Sequence, residues 1–232
     1  MENIAVFFAV VLLALFVFIV LYVYYSPNNT LASNVDLASP PVTVTGSAIK
    51  NQSSVNYTYS LWINVTSWNT NAAKSLISYT NSANAELFKL YLDPTNNGLY
   101  CSILTQGSSS ATQTVLITNN LPLQGWNHVA VSVQSMNVDC YLNGVMTNAM
   151  VLTAPQVQVA SSDTGKVTLG NDDAMQGQMK EVSLTPSETN PYAVWQYYVI
   201  TYLTMGTSSN GVQSMKVSLL SDGQSKGDMT IF

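Results

Sequence analysis

The sequence predicts an all-β domain, a sandwich or closed barrel of short antiparallel strands, set behind one N-terminal transmembrane helix. Three observations carry this. Ile4–Val23 is an unbroken apolar run with no charge and no amide side chain. From Val42 to Leu184 apolar and polar residues alternate in short stretches bounded by Gly, Pro, Asn and Ser, without a helical period. Helical spacing sets in only after Pro186.

The twenty residues Ile4–Val23 make a helix about 30 Å long, the thickness of a bilayer's hydrocarbon core. A secretory signal would have a shorter apolar region, a basic start and a small-residue cleavage site. Here Glu2 is the only charge before the run, and Tyr22, Tyr24, Tyr25, Ser26 and Pro27 follow or close it. The tyrosines suit the membrane–water interface, and Pro27 stops the helix. An uncleaved anchor over residues 1–25 is expected, with the bilayer as partner of residues 4–25. The first basic residue is Lys50, so charge asymmetry leaves open which side the remainder occupies. Residues 26–40, mostly Ser, Asn, Pro and Ala, read as a linker.

A β domain is expected over 41–190. Val42 and Val44 open it, followed by Gly46. Tyr57, Tyr59, Leu61, Ile63 and Val65 then alternate with Thr58, Ser60, Trp62 and Asn64. Further strands are expected at Ser75–Tyr79, Leu87–Leu92, Leu99–Gln106, Thr112–Thr118, Trp126–Gln134, Val138–Leu142, Met146–Leu152, Val167–Leu169 and Gln178–Leu184, about twelve in all. Turn chemistry separates them: DPTNNG, QGSSS and above all Asn143-Gly144. Val129, Val131 and Val133 share a face with Val138, Cys140 and Leu142, while His128, Ala130 and Ser132 point the other way. Large groups on both faces suit a two-sheet sandwich with a further layer over one outer face. In 191–232, Pro191–Met205 has helical spacing at Val194, Tyr198, Thr201, Tyr202 and Met205, and Pro191 can start it. Its β-branched and aromatic content would also suit a strand. Met215–Leu220 and Met229–Phe232, around SDGQSKGD, read as a terminal hairpin.

Composition narrows the function. Of 232 residues only 8% are charged, against about 25% in average soluble domains. All seven basic residues are lysines and the net charge is −5, so no basic patch exists to bind a nucleic-acid backbone. Cys101 and Cys140 have no metal-ligand spacing and fall in strands, as buried thiols or as a bridge. Four sequons, at Asn28, Asn51, Asn56 and Asn64, matter only in a secretory lumen.

LPLQGWNHVAVSVQSMNVDCYLNGV, residues 121–145, resembles the central hairpin of laminin-G-like jelly rolls in the concanavalin A-like lectin/glucanase superfamily. Trp126, His128, Tyr141, Asn143 and Gly144 stand where that family has its Trp-Asn-His start and Tyr-x-Asn-Gly turn. YSLWINVTSW, residues 59–68, resembles an early strand of the family. LGNDDAMQGQMKEVSL, residues 169–184, resembles its late Leu-Gly-Asn…Glu-Val strand, with Met179 where Ile is usual. The resemblance extends over about residues 41–203, most of the chain after the anchor. The low charge, Asn-rich turns and terminal Trp/Tyr helix are similar to laminin-G-like domains of large double-stranded DNA virus proteins. The resemblance implies a two-sheet antiparallel jelly-roll sandwich (concanavalin A-like); with the residue readings above, the expected chain is this sandwich preceded by one transmembrane helix and followed by a short C-terminal helix and hairpin.

The family's glucanases use carboxylates spaced Glu-x-Asp-x-x-Glu on one strand, because glycoside hydrolysis needs two carboxyls flanking the bond. No such segment occurs; Glu86, Asp93, Asp139, Glu181 and Glu188 are scattered. His128 reads as a packed strand histidine rather than a base, and no enzyme activity or cofactor is expected. Asp172 and Asp173 are adjacent acids in a turn, a solvated pair or the place for calcium at the sandwich rim. Trp195 and Tyr198 are candidates to meet a partner protein or a glycan, and Trp62, Trp68 and Tyr197 to meet a glycan; packing on the chain's own sandwich is the alternative. The expected function is a non-enzymatic, membrane-anchored structural protein: a minor capsid protein in a virion's internal membrane, joining bilayer to neighbouring capsid proteins. The alternative is a lectin-like adhesion protein on a cell or virion surface.

Overall fold

The computed structural model describes residues 13, 29–68, 74–107, 111–170, 175–205, 216–221 and 224–230. The strands are β1 (Asn29–Asp36), β2 (Val42–Thr45), β3 (Asn56–Trp68), β4 (Lys74–Thr80), β5 (Glu86–Leu92), β6 (Leu99–Thr105) and β7 (Ala111–Thr118). They continue with β8 (Asn127–Gln134), β9 (Asn137–Leu142), β10 (Val145–Val151), β11 (Lys166–Leu169) and β12 (Met175–Thr185), before helix α1 (Pro191–Met205) and a hairpin of β13 (Lys216–Ser221) and β14 (Gln224–Thr230). Sheet A has the order β1-β12-β3-β8-β9-β10 and sheet B the order β2-β11-β4-β5-β6-β7. Every pairing is antiparallel, and the two sheets stack into a sandwich rather than a barrel.

The valine face of β8 falls where its alternation requires. Val129, Val131 and Val133 join Leu61, Ile63, Val138 and Cys140 on the inner side of sheet A, and sheet B answers with Ile77, Leu90, Cys101 and Val167. Cys101 and Cys140 are free thiols buried in this core. A hydrogen bond to Cys140, with burial adding to it, pushes the Cys101 thiol well above its ordinary value, so it stays protonated and unreactive. The Asn143-Gly144 turn has φ of 51° and 79°. Both are left-handed, as the two-residue hairpin between β9 and β10 demands.

The linker expected at 26–40 is corrected by β1. Residues 29–36 pair with β12 from Asn29↔Leu184 to Asp36↔Gln178. Leu31, Val35 and Leu37 are buried in the core. These three apolar positions among Asn, Ser and Ala are too sparse to show alternation, and the β12 edge supplies the hydrogen bonds that make the segment a strand. The terminal hairpin also differs in register. β14 begins at Gln224, so most of the stretch expected to turn is strand, paired as Leu219↔Gly227 and Ser221↔Gln224. The anchor expected over residues 1–25 lies outside the described residues apart from Leu13. Among the described residues no helix is long and apolar enough to cross a membrane.

Leu37 separates the strand reading from the linker reading. Leu37→Ala should cost roughly 2–5 kcal/mol in urea unfolding, the range for a buried leucine. A linker residue would change stability by no more than about 0.5 kcal/mol.

Candidate functional site

Sheet A is buried on much of its outer face as well. All of β8 except Gln134 is buried, including His128, Ala130 and Ser132, which point away from the core. Trp62 on β3 points the same way and is 0% exposed. What covers them is α1. Its start is built locally: Asn190 caps the helix by accepting the Ala193 N–H at 2.9 Å, and Pro191 occupies the first helical position. The chain leading in is pinned by hydroxyls, Thr189 N–H donating to Ser132 Oγ and Thr189 Oγ1 to Thr58 Oγ1, both at 2.9 Å.

From there α1 crosses β8 and β3. Val194 packs on Ala130 and Tyr141. The indole N–H of Trp62 donates to Thr201 Oγ1 at 3.0 Å, and its rings stack on Tyr198 at 5.6 Å and Tyr202 at 6.2 Å. Tyr198 also lies against Gly144, where an added Cβ would stand 2.8 Å from the tyrosine ring. Glycine at that turn therefore serves both the left-handed backbone and the close approach of the helix.

His128 is inside this layer, 1% exposed. Its Nε2 lies 2.9 Å from Ser60 Oγ, its ring packs on Trp62 and Tyr197, and Nδ1 has no partner. Burial lowers its pKa to about 4, so the ring is neutral at physiological pH. With no carboxylate to orient it, this is a packing histidine.

The other side of α1 is open. Tyr192 is 66%, Trp195 49% and Ile200 63% exposed, and the Tyr192 and Trp195 rings stack at 6.3 Å. On the outer face of sheet B lies an open groove lined by Lys74, Glu86, Lys89, Tyr91, Ser102 and Thr114, enclosing about 680 Å³, part of it solvent. Tyr91 stacks on Tyr100, its partner in the β5–β6 register, at 5.8 Å. Lys89 bridges to Glu86 at 3.2 Å and lies 5.9 Å above the Tyr91 ring. Among the described residues Glu86 is the groove's one carboxylate, so no acid/base pair forms there. A narrower cavity of about 510 Å³ opens between the sheets beside β3. Tyr57, Tyr59, Tyr79 and Phe88 line it. Burial, reinforced by the Asp163 charge, pushes the Tyr79 hydroxyl up to about 12.

Residues 38–194 match the concanavalin A-like lectin/glucanases superfamily in its laminin-G form. The chain belongs to this superfamily. No curated protein sequence matches it. Among solved structures it is similar to the botulinum neurotoxin serotype G binding domain, with 11% identity and a TM-score of 0.57, covering 81% of this chain and 48% of that one. The serotype D ligand binding domain, solved in complex with N-acetylneuraminic acid, is 15% identical with a TM-score of 0.58, over 75% of this chain and 44% of that one. The binding domain of Paraclostridial mosquitocidal protein 1 is 12% identical with a TM-score of 0.52, over 75% and 47%. This superfamily member thus spans about half the length of each. At such identities the likeness is one of fold.

Trp195 and Tyr198, expected as a ligand-facing pair, part company: Trp195 is open to the outside and Tyr198 faces Trp62. Asp172 and Asp173 lie outside the described residues. Among the described residues no three His, Cys, Asp or Glu side chains gather as a metal set. The sequence reading did not single out Tyr91 and Tyr100. Their signal was there, since each is an aromatic at an outward position of a strand whose neighbours Leu90 and Cys101 face the core.

His128 makes stability depend on pH. The unfolded chain protonates the ring near 6.5, whereas the folded protein resists protonation down to about 4. In that window the unfolded state binds more protons, so the contribution is complete above 6.5 and is lost as pH falls, by up to about 3 kcal/mol. Urea unfolding at pH 7 and pH 5 should show this loss in the wild type and a flatter profile in His128→Gln.

Proposed function

We propose that the protein is a non-enzymatic structural module held at a membrane by Ile4–Val23. In its specific form it is a minor capsid protein, with the anchor in a virion's internal membrane and the jelly roll contacting the neighbouring shell. The observation that carries the reading is the placement of β1. The strand starts at Asn29, so residues 24–28 alone separate the apolar run from the folded domain, a reach of at most about 22 Å over the six steps from Val23. A domain tethered that closely acts beside the bilayer. The scattered carboxylates, the neutral packed His128 and the low surface charge are consistent with contact rather than catalysis.

A second reading, a lectin-like adhesion module, has its own support in the sheet B groove, where Tyr91 offers an aromatic face beside Glu86, Lys89 and Ser102. A sugar ring is bound by such a face together with a few placed polar groups. The fold likeness to a domain solved with N-acetylneuraminic acid points the same way. Among the described sequons, Asn51 is exposed, while Asn56 Oδ1 accepts the Ser135 N–H at 3.0 Å.

One preparation tests both readings. The full chain should stay with membranes through an alkaline wash and be found in purified virions; release by the wash, or virions lacking the protein, would overturn the structural reading. On a glycan array the same preparation should give no signal. A signal that Tyr91→Ala lowers by about tenfold or more, the loss of roughly 1.4 kcal/mol, would establish the lectin reading instead.

A further inference from the structure

The sequence of α1, PYAVWQYYVITYLTM, contains no charged residue. Val194, Tyr197, Tyr198 and Thr201 turn toward sheet A. Tyr192, Trp195, Val199 and Ile200 fall on the opposite side, spaced as one stripe of a helix. Exposed Gln196 aside, that outward stripe is apolar, and a helix with apolar residues on both sides is the pattern of one covered on both. Sheet A covers one side only, and Tyr192 and Ile200 are each more than half exposed.

The place where β1 begins bears on what lies on the other side. Asn29 pairs with Leu184 at the end of β12. The same end of sheet A carries Asn56, paired with Gln134, and the Thr58–Ser132–Thr189 hydroxyl cluster from which α1 departs. Residues 24–28 keep the end of the apolar run within about 22 Å of Asn29. If Ile4–Val23 spans a bilayer, the first turn of α1 starts beside that bilayer.

We propose that α1 lies along the membrane interface, with Tyr192, Trp195, Val199 and Ile200 in the headgroup and upper acyl region. The outer face of sheet A is then held against the bilayer, and the groove of sheet B faces away from it. The proposal rests on the anchor reading above. The residue types fit: Trp and Tyr favour the membrane–water interface, and no charge has to be desolvated. The size of the stripe argues against a protein occupant. Four side chains over two turns fall far short of the roughly 20–30 residues a side that a stable protein interface uses. A lipid surface sets no such minimum, because the anchor already holds α1 at high effective concentration.

The test uses the full chain reconstituted into phosphatidylcholine vesicles, with or without brominated acyl chains, comparing wild type with Trp195→Phe. Flotation after an alkaline wash reports the anchor; quenching of tryptophan fluorescence by bromolipid reports α1. The expected result is flotation of both proteins and a quenched fraction roughly halved, or more, in Trp195→Phe. Flotation with quenching unchanged by the substitution overturns the proposal and leaves the anchor standing. So does a cross-link from position 195 to a second copy of the chain. Failure to float overturns the anchor reading and the proposal together.

Discussion

Trp62 sits at the centre of the outer face of sheet A, fully buried, and much of the structure follows from the need to cover it. A sandwich sheet is ordinarily apolar on one face and wet on the other. Here β3 and β8 are buried on both. The inner valines are covered by sheet B, and the outer Trp62, His128 and Ala130 by α1. The indole N–H makes the cover specific, because it must find an acceptor when buried and finds Thr201 Oγ1. The helix can reach it because Gly144 leaves room for Tyr198 and because Asn190 and Thr189 fix where α1 begins.

That arrangement gives the domain two unlike outer surfaces. One is the uncovered stripe of α1, aromatic and uncharged. The other is the groove of sheet B, where Tyr91, Glu86 and Lys89 mix an aromatic face with charge. The first suits an apolar environment and the second an aqueous one. With β1 starting just after the apolar run, the proposed orientation at a bilayer would serve both. His128 is neutral and held by packing between these surfaces.

The fold was legible wherever sequence pattern and burial agree. Tyr57–Val65 and His128–Ser132 alternate cleanly, the Asn143-Gly144 dipeptide takes the turn its residues favour, and Pro191 begins the helix. Trp126 and His128, on the face opposite the core valines, announced a covering layer; that Trp62 lies beneath it shows only in the structure. β1 was hidden because its two core residues, Leu31 and Val35, are separated by small ones, and its strand character comes from pairing with β12 rather than from its own pattern. The surfaces were harder to read. Separating Trp195 from Tyr198 needs the phase of α1 against sheet A, set by contacts with Trp62 and Gly144 that lie more than fifty residues away in sequence. The groove likewise depends on the β5–β6 register that brings Tyr91 beside Tyr100.

The most direct measurement is a double-mutant cycle between Trp62 and Tyr198, using Trp62→Phe and Tyr198→Leu in urea unfolding of the full chain. If α1 is clamped to sheet A through this stack, the coupling should be about 1 kcal/mol, the scale of a buried aromatic pair. Additive effects within about 0.3 kcal/mol would mean that the helix is not held there, contradicting the claim that sheet A depends on α1 for its cover.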